Sequence, residues 1–375
     1  MKKNILFLQP LYYEPELPNF KDRFTFLSNE GLGGLILSAS EKGFIKLNFG
    51  NFKYQSISYF KNRFVRLLFH VFLIFYFSIK YSLKNKVDYI HCYDPLFFGP
   101  LGVILKFLFS AKLIVEVNGF LLKDSEIENR KSNILKKMLY NITTSFSFYF
   151  SDALKFLNIF QQKEILNDEH KKNIFIFHDF VPTSYFQNGK TNNNLNPDTI
   201  LSLGYPFHRK GMDILIKAFN IISPKYPNIK LKIVGHCPGG DSERNHYINM
   251  CVNKDKIEIL KGVRYNEIIN LFNDSILFVL ASRSEGMGRV LIESMTCGVP
   301  VIGSNVGGIP YVIDDKKNGF LFESEDYNEL AEKIDVFLSN PQIQINMHKQ
   351  CLNTINEKFS DKKYVKAFIE MLNNI

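Results

Sequence analysis

The chain has 375 residues, 46% hydrophobic and 22% charged, a balance that excludes a disordered chain and fits two domains of ~100–200 residues each. Its five cysteines are scattered without a CxxC pair, which argues against a zinc site or a disulfide framework and for a reducing cytoplasm. The net charge of +9 lies wholly in one half: residues 1–190 hold 25 Lys+Arg against 16 Asp+Glu, whereas residues 191–375 hold 21 of each.

In chain order, the apolar run Asn4–Leu8 stops at Gln9-Pro10. It is too short for a secretory segment of ~7–15 apolar residues and reads as a first strand. The stretch Phe60–Lys86 has an apolar centre with Lys61, Arg63, Arg66, Lys80, Lys84 and Lys86 at its ends. Its longest apolar run, Leu67–Ile79, has 13 residues and falls short of the ~18 needed to span a bilayer. It reads as a core helix with solvated ends or, alternatively, as a helix laid partly into an anionic membrane surface. Strand-like runs follow at Tyr89–Cys92, Lys112–Val117 and Asn173–Phe177, with a basic stretch Arg130–Lys137 and Phe146, Phe148 and Phe150 between the last two.

Gln187–Thr199 has one apolar residue and several Asn, Gly and Pro, the composition of an interdomain linker. Beyond it come strand-like runs at Ile200–Gly204, Lys230–Gly235, Lys256–Leu260, Leu277–Leu280 and Pro300–Gly303. Helical spacing separates many of them, as in Gly211–Ile222 and Tyr265–Phe272. Continuous apolar strands alternating with helices predict parallel sheets covered on both faces, an α/β fold. The tail Ser360–Ile375 has amphipathic helical spacing.

Two loops of the second half have the makings of an anion site. The segment Ser282–Tyr311 reads as a strand end, a loop with Glu285 and Gly286-Met287-Gly288, and a helix over Arg289–Thr296 closed by Gly298. Ligands of open α/β sheets bind beyond the carboxyl ends of the strands, where glycines let N–H groups approach an anion and a helix N-terminus adds positive potential. Glu285 in the loop and Glu293 in the helix are carboxylates that can accept from vicinal hydroxyls, one on each side of a diphosphate, or else, by spacing alone, ordinary surface glutamates of a solvated helix. Upstream, the loop from Gly204 to Gly211 carries adjacent Arg209 and Lys210, a cationic clamp for phosphate.

At these residues the chain resembles the retaining glycosyltransferases of family 4. The resemblance covers most of residues 200–340. It rests on the G-x5-KG element from Gly204 to Gly211, the strand Lys230–Gly235 with its glycine loop, and E-x7-E from Glu285 to Glu293 followed by G-x-P-V-x-x-S-x-x-G-G. It implies the GT-B fold: two Rossmann-like doubly wound domains facing a central cleft, here 1–190 and 191–359, with a terminal helix 360–375 crossing back. It also implies roles. Glu285 and the Gly286, Met287 and Gly288 backbone would hold the donor sugar. Arg289 and Val290 would open the helix that holds the diphosphate, and Glu293 would hold the ribose. Lys210 would neutralise the leaving diphosphate, and the Val263–Arg264 backbone would meet the base. Asn118 and Gly119 would lie on the acceptor side.

Three positions depart from the family's common residues: Tyr205 for Arg, with Arg209 supplying the charge; Asn118 for His; and Tyr311 for Glu. Gly33-Gly34 are candidates for an N-terminal phosphate loop. No D-x-D triplet occurs, and positive side chains with helix dipoles are expected to replace a metal, so no metal and no cofactor are expected.

The expected activity is therefore transfer from a UDP-, GDP- or ADP-sugar to a glycan or lipid-linked acceptor, in surface polysaccharide synthesis of the bacterial type. The basic, aromatic first half would be the acceptor side, with peripheral contact to the inner face of an anionic membrane and no nucleic-acid partner. The alternatives are a nucleotide-sugar epimerase of the same fold and a degenerate scaffold of a polysaccharide assembly complex.

Overall fold

The computed structural model describes residues 3–9, 14–40, 43–58, 63–128, 134–166, 173–189 and 198–375. Lys61, residues 130–133 of the basic stretch and residues 190–197 of the expected linker lie outside the described residues. Two sheets organise the rest. The first is built from β1 (Asn4–Leu8), β2 (Gly33–Ser40), β3 (Lys46–Phe49), β4 (Phe52–Ser58), β5 (Tyr89–Cys92), β6 (Lys112–Val117), β7 (Ala153–Phe156) and β8 (Asn173–Ile176). Its order is β3-β4-β2-β1-β5-β6-β7-β8, parallel except for the β3–β4 hairpin. The second contains β9 (Thr199–Leu203), β10 (Lys230–Val234), β11 (Ile257–Leu260), β12 (Ser275–Leu280), β13 (Val301–Ser304) and β14 (Gly319–Phe322). Its order is β11-β10-β9-β12-β13-β14, all parallel, so its direction of winding reverses between β9 and β12.

Strand side chains alternate between faces, so a strand covered on both sides must be apolar throughout. In β1, Ile5 and Phe7 join one core layer while Leu6 and Leu8 join the other. In β9, Ile200 and Leu201 divide in the same way. Helices Arg63–Ser82, Phe98–Phe109 and Ile134–Phe150 lie on one face of the first sheet. Pro18–Asn29 and the last helix, Asp361–Asn373, cover the other.

Two segments join the domains. Helix Thr183–Asn188 already sits in the second domain's core through Phe186, whose ring is 6.2 Å from that of Phe272. On the return path, Ile355 and Phe359 of a π-helical turn belong to the second core, whereas Tyr364 and Phe368 are fully buried in the first. The Asp361 carboxylate accepts from the backbone N–H groups of Thr183 and Ser184 at 2.8 and 3.0 Å, tying the two crossings together.

One expectation is corrected. Gly33-Gly34 open strand β2 and lie at its amino end, away from the carboxyl ends where phosphate loops form. Gly34 answers a packing need: a Cβ there would stand 1.9 Å from the Ile5 carbonyl oxygen of the neighbouring strand.

Candidate active site

The reversal between β9 and β12 puts the loops after these two strands side by side. Glycines set how closely they approach. Gly204 has φ +131°, and the Lys210 chain lies against its missing Cβ. Gly211 has φ +64°, and a Cβ there would stand 1.8 Å from the Ala281 carbonyl oxygen at the end of β12. The loop therefore folds back and aims Lys210 at the second loop. Lys210 Nζ meets Glu285 Oε2 at 2.5 Å, and Ser282 Oγ lies 3.4 Å from the same oxygen.

Burial alone would raise the Glu285 carboxyl. Lys210, Arg209 and the Gly288 backbone N–H outweigh that and hold it below the usual carboxylate range. Glu285 is thus an ionised acceptor at the N-terminus of helix Arg289–Thr296, which Gly288 opens at φ +78°. A Cβ at Gly307 would lie 2.1 Å from the Glu285 carbonyl oxygen, and one at Gly308 2.3 Å from that of Gly286. Only a Gly-Gly turn lets the loop after β13 support the Glu285 loop so closely.

Glu293 lies inside the helix, 5% exposed. Burial raises its carboxyl, with Arg289 pulling the other way. Tyr265 is close enough for Glu293 to raise its phenol further, after burial, and its buried hydroxyl has no hydrogen-bond partner. A buried carboxyl and a buried hydroxyl side by side could together accept from and donate to hydroxyl groups. Val263 is partly buried against the same core, while Arg264 turns away and clasps its own Glu267 at 2.7 Å. Val290 is half-buried, and Met287 is buried with its sulfur 3.2 Å from the Asp179 backbone nitrogen.

The first domain closes over these loops. Asn118 and Gly119 follow β6, and a Cβ on Gly286 would stand 3.4 Å from Gly119 Cα. The Asn118 side chain donates to the Tyr93 carbonyl at 2.8 Å. Asn158 caps helix Ile159–Ile165 and donates to the Gly286 carbonyl at 2.7 Å. Arg289 pairs with Asp179 at 3.2 Å. Arg209 points to the first domain as well, 3.1 Å from Glu128 and 3.7 Å from Asp124, the latter also accepting from Ser284.

Lys210, Glu285 and the glycines thus come together, with Asn118-Gly119 facing Gly286. Arg209, Arg289 and Arg264 are each engaged with a carboxylate. Asn158, Asp179, Tyr265 and Arg283 were not foreseen. Arg283 fixes the loop through both Asp213 oxygens at 2.8 and 2.7 Å and through Glu325. Its signal in the sequence was its place two residues before Glu285; for Asn158 it was the N-cap spacing Asn158-x-x-Gln161. Tyr205 packs on Phe207 and His236, and Tyr311 on Phe359, so both fill apolar space. Among the described residues no cluster of three or more His, Cys, Asp or Glu could hold a metal ion.

Residues 185–356 match the family described as Glycosyl transferases group 1. An uncharacterized glycosyltransferase of Haemophilus influenzae is 29% identical over 177 residues, 46% of this chain and 48% of its own length. The match thus spans about half of that relative. Among solved structures, sucrose-phosphate synthase from Thermosynechococcus elongatus superposes with a TM-score of 0.81 at 16% identity, covering 99% of this chain and 98% of that one. The Anabaena HepE protein in complex with UDP superposes with a TM-score of 0.74 at 16% identity, covering 99% and 100%. The match to group 1 glycosyl transferases is confined to residues 185–356, and the chain as a whole has the GT-B fold of two Rossmann-like domains.

Proposed function

We propose that the protein transfers a sugar, with retention of configuration, from a nucleotide-diphosphate sugar to a glycan or lipid-linked glycan, in surface polysaccharide synthesis at the inner face of a membrane. The observation that carries this reading is the Lys210–Glu285 contact at the β9/β12 reversal, beside a helix N-terminus. The diphosphate would lie between Lys210 and the N–H groups that open helix Arg289–Thr296, where negative charge develops as the glycosidic bond breaks. Glu285, held ionised, accepts from donor sugar hydroxyls. Glu293 and Tyr265 accept and donate at the ribose. That a neighbour of the same fold is solved in complex with UDP supports a nucleotide ligand. No protein nucleophile is assigned; the acceptor would attack the face the diphosphate leaves.

Lys210 and the helix terminus supply the positive charge, so transfer is expected to persist in EDTA. Loss on chelation, restored by manganese, would contradict the metal-free reading. The first test is a thermal-shift screen with UDP-, GDP- and ADP-sugars, since a ligand that binds the folded state raises its stability with the logarithm of concentration. One of the three should raise the melting temperature of the native chain and leave that of Lys210→Ala nearly unchanged. No shift with any of them would remove the donor assignment.

A further inference from the structure

We propose that the first domain docks on an anionic lipid bilayer through helices Arg63–Ser82, Phe98–Phe109 and Ile134–Phe150, with a headgroup phosphate seated in a lysine-lined cavity at their border. The proposal adds a surface and a partner to the reading above, and rests on it only where it brings a lipid-linked acceptor to the cleft.

The three helices lie side by side on the first sheet, the middle one touching both others. Their inner stripes are core: Ile74, Leu101, Leu105 and Phe148 are buried. Their outer stripes are apolar too, contrary to the rule for a helix with one face in water. Phe69, Phe72 and Tyr76 recur at helical spacing and are exposed. Ile104, Phe107 and Leu108 do the same on the middle helix, and Ile134, Met138, Ile142 and Tyr149 on the third. Of 21 exposed large hydrophobic residues among those described, 12 sit on these helices and 5 in the whole of residues 198–375. Scattered surface apolar residues need no explanation, but this concentration does.

Charge identifies the occupant. The three helices contain six Lys or Arg and no Asp or Glu, two of the six, Lys106 and Lys137, being paired with Asp152 and Glu126 outside them. A second copy of the same face would bring like charges together across an isologous contact, whereas an anionic bilayer offers both apolar chains and opposite charge. At the end of helix Arg63–Ser82 a cavity of about 460 Å³ opens against β3 and β4. Lys46, Lys53, Lys80 and Lys84 line it, with no acidic residue in its wall, over a floor that includes Tyr54 and Phe77. All four lysines are exposed. On the opposite flank, a hollow of about 360 Å³ lies between Tyr140, Thr144 and Phe148 of helix Ile134–Phe150 and Phe120, which follows Asn118-Gly119. Lys123, Asn141 and Glu164 also line it, so a lipid-linked acceptor entering there would meet both apolar and polar walls. Among the described residues no helix is long and apolar enough to cross the membrane, so the contact is peripheral.

The test is co-sedimentation of the full chain with vesicles of phosphatidylcholine alone or mixed with phosphatidylglycerol, at low and high salt. Binding to the mixed vesicles, weakened by salt and far lower on phosphatidylcholine, is expected. Lys80→Glu with Lys84→Glu, and separately Phe107→Ser with Tyr149→Ser, should each weaken it by about tenfold or more. Equal binding to both vesicle types, or binding unchanged in both variants, overturns the proposal. So does a solution dimer that Phe107→Ser with Tyr149→Ser dissociates, because the face is then an interface between copies. A thermal shift with UDP-, GDP- and ADP-sugars on the same preparations reads the donor site separately: vesicle binding without a shift from any of them leaves the dock standing and removes the reaction.

Discussion

The two domains place their charges in opposite ways. In the second, Lys210 and Glu285 sit on loops at the edge of an apolar sheet, half-buried, and although 75 residues apart they meet where the loops after neighbouring strands β9 and β12 adjoin. In the first, charge lies inside the sheet itself. Glu116 and Lys155 are opposed on neighbouring strands, fully buried, with Nζ 2.7 Å from Oε1. His91 Nε2 lies 3.3 Å from the other Glu116 oxygen, and Arg23 lies over the rings of Tyr93 and Tyr364 at 4.8 and 5.1 Å. Asp179 continues this set to Arg289 of the second domain. Loop charges can be lost singly with the fold intact, whereas one member of a pair buried inside a sheet cannot be lost without leaving the other unpaired at a cost. Function and stability should therefore respond to different residues in the two halves.

The largest effect is expected inside the first sheet. Lys155→Met leaves the Glu116 carboxyl buried without its cation, at a cost of about 3–5 kcal/mol. Adding Glu116→Gln should recover much of it, because a pair removed together leaves no orphan charge. Denaturant titration of both variants reads this directly, and equal losses in single and double variants would break the contrast. In the second domain, Lys210→Ala and Glu285→Gln should each lower turnover by about 10²–10³-fold, the range for removing one group that stabilises developing charge. Their denaturation midpoints should stay near that of the native chain. A collapse of stability there would mean that the pair is structural.

The same contrast governs what could be read from the chain. The second-domain site is written locally: a strand, a glycine that permits a turn, a charged residue and a helix start. Glu285, Gly288 and Lys210 were therefore legible before any contact was known. Glu116 and Lys155 are 39 residues apart, and only the register of β6 on β7 makes them neighbours. The apolar outer stripe of Phe60–Lys86 was legible only as an alternative to a core helix, since an apolar helix looks alike whether it faces a core or a solvent boundary. Gly33-Gly34 shows the converse error. The dipeptide is legible, but which end of a strand it occupies is not. The β3–β4 hairpin had a signal in Gly50-Asn51, but its strands alternate too weakly to stand out.

The seam between the domains has its own pH response. His178 packs on Phe359 and Tyr364, and its Nδ1 lies 2.8 Å from the Asp179 carbonyl oxygen. Burial, with Lys155 adding to it against Asp179 and Asp361, takes its pKa from 6.5 to about 4. The native state then keeps the ring neutral while the unfolded chain takes up a proton below 6.5. Stability is full above that value and falls as pH drops toward 4, by about 3 kcal/mol from this group. Buried His91 acts in the same direction. Unfolding at pH 7 and pH 5 should show a large loss in the native chain and a smaller one in His178→Asn; parallel losses would place the acid response elsewhere. Gly211→Ala should lower stability, read from the denaturation midpoint, by more than the about 1–3 kcal/mol of left-handed backbone strain at φ +64°, because the new Cβ would also stand 1.8 Å from the Ala281 backbone carbonyl oxygen.

The smallest effect tests the border between the two halves. Arg209 sits in the donor loop, yet its partners Glu128 and Asp124 belong to the first domain, and all three are partly exposed. Such ion pairs contribute about 1 kcal/mol or less to stability. If Arg209 acts chiefly as a clasp between domains, Arg209→Ala and Glu128→Gln should change donor kinetics alike, by about tenfold or less, and the double variant should be no worse than either single one. If it releases the carboxylates to hold the diphosphate, Arg209→Ala alone should lower turnover toward the level of Lys210→Ala, and Glu128→Gln should leave it unchanged or raise it. The carboxylates already neutralise the guanidinium, so the first pattern is expected. The second would extend the donor site by one residue and make the first domain a competitor for it.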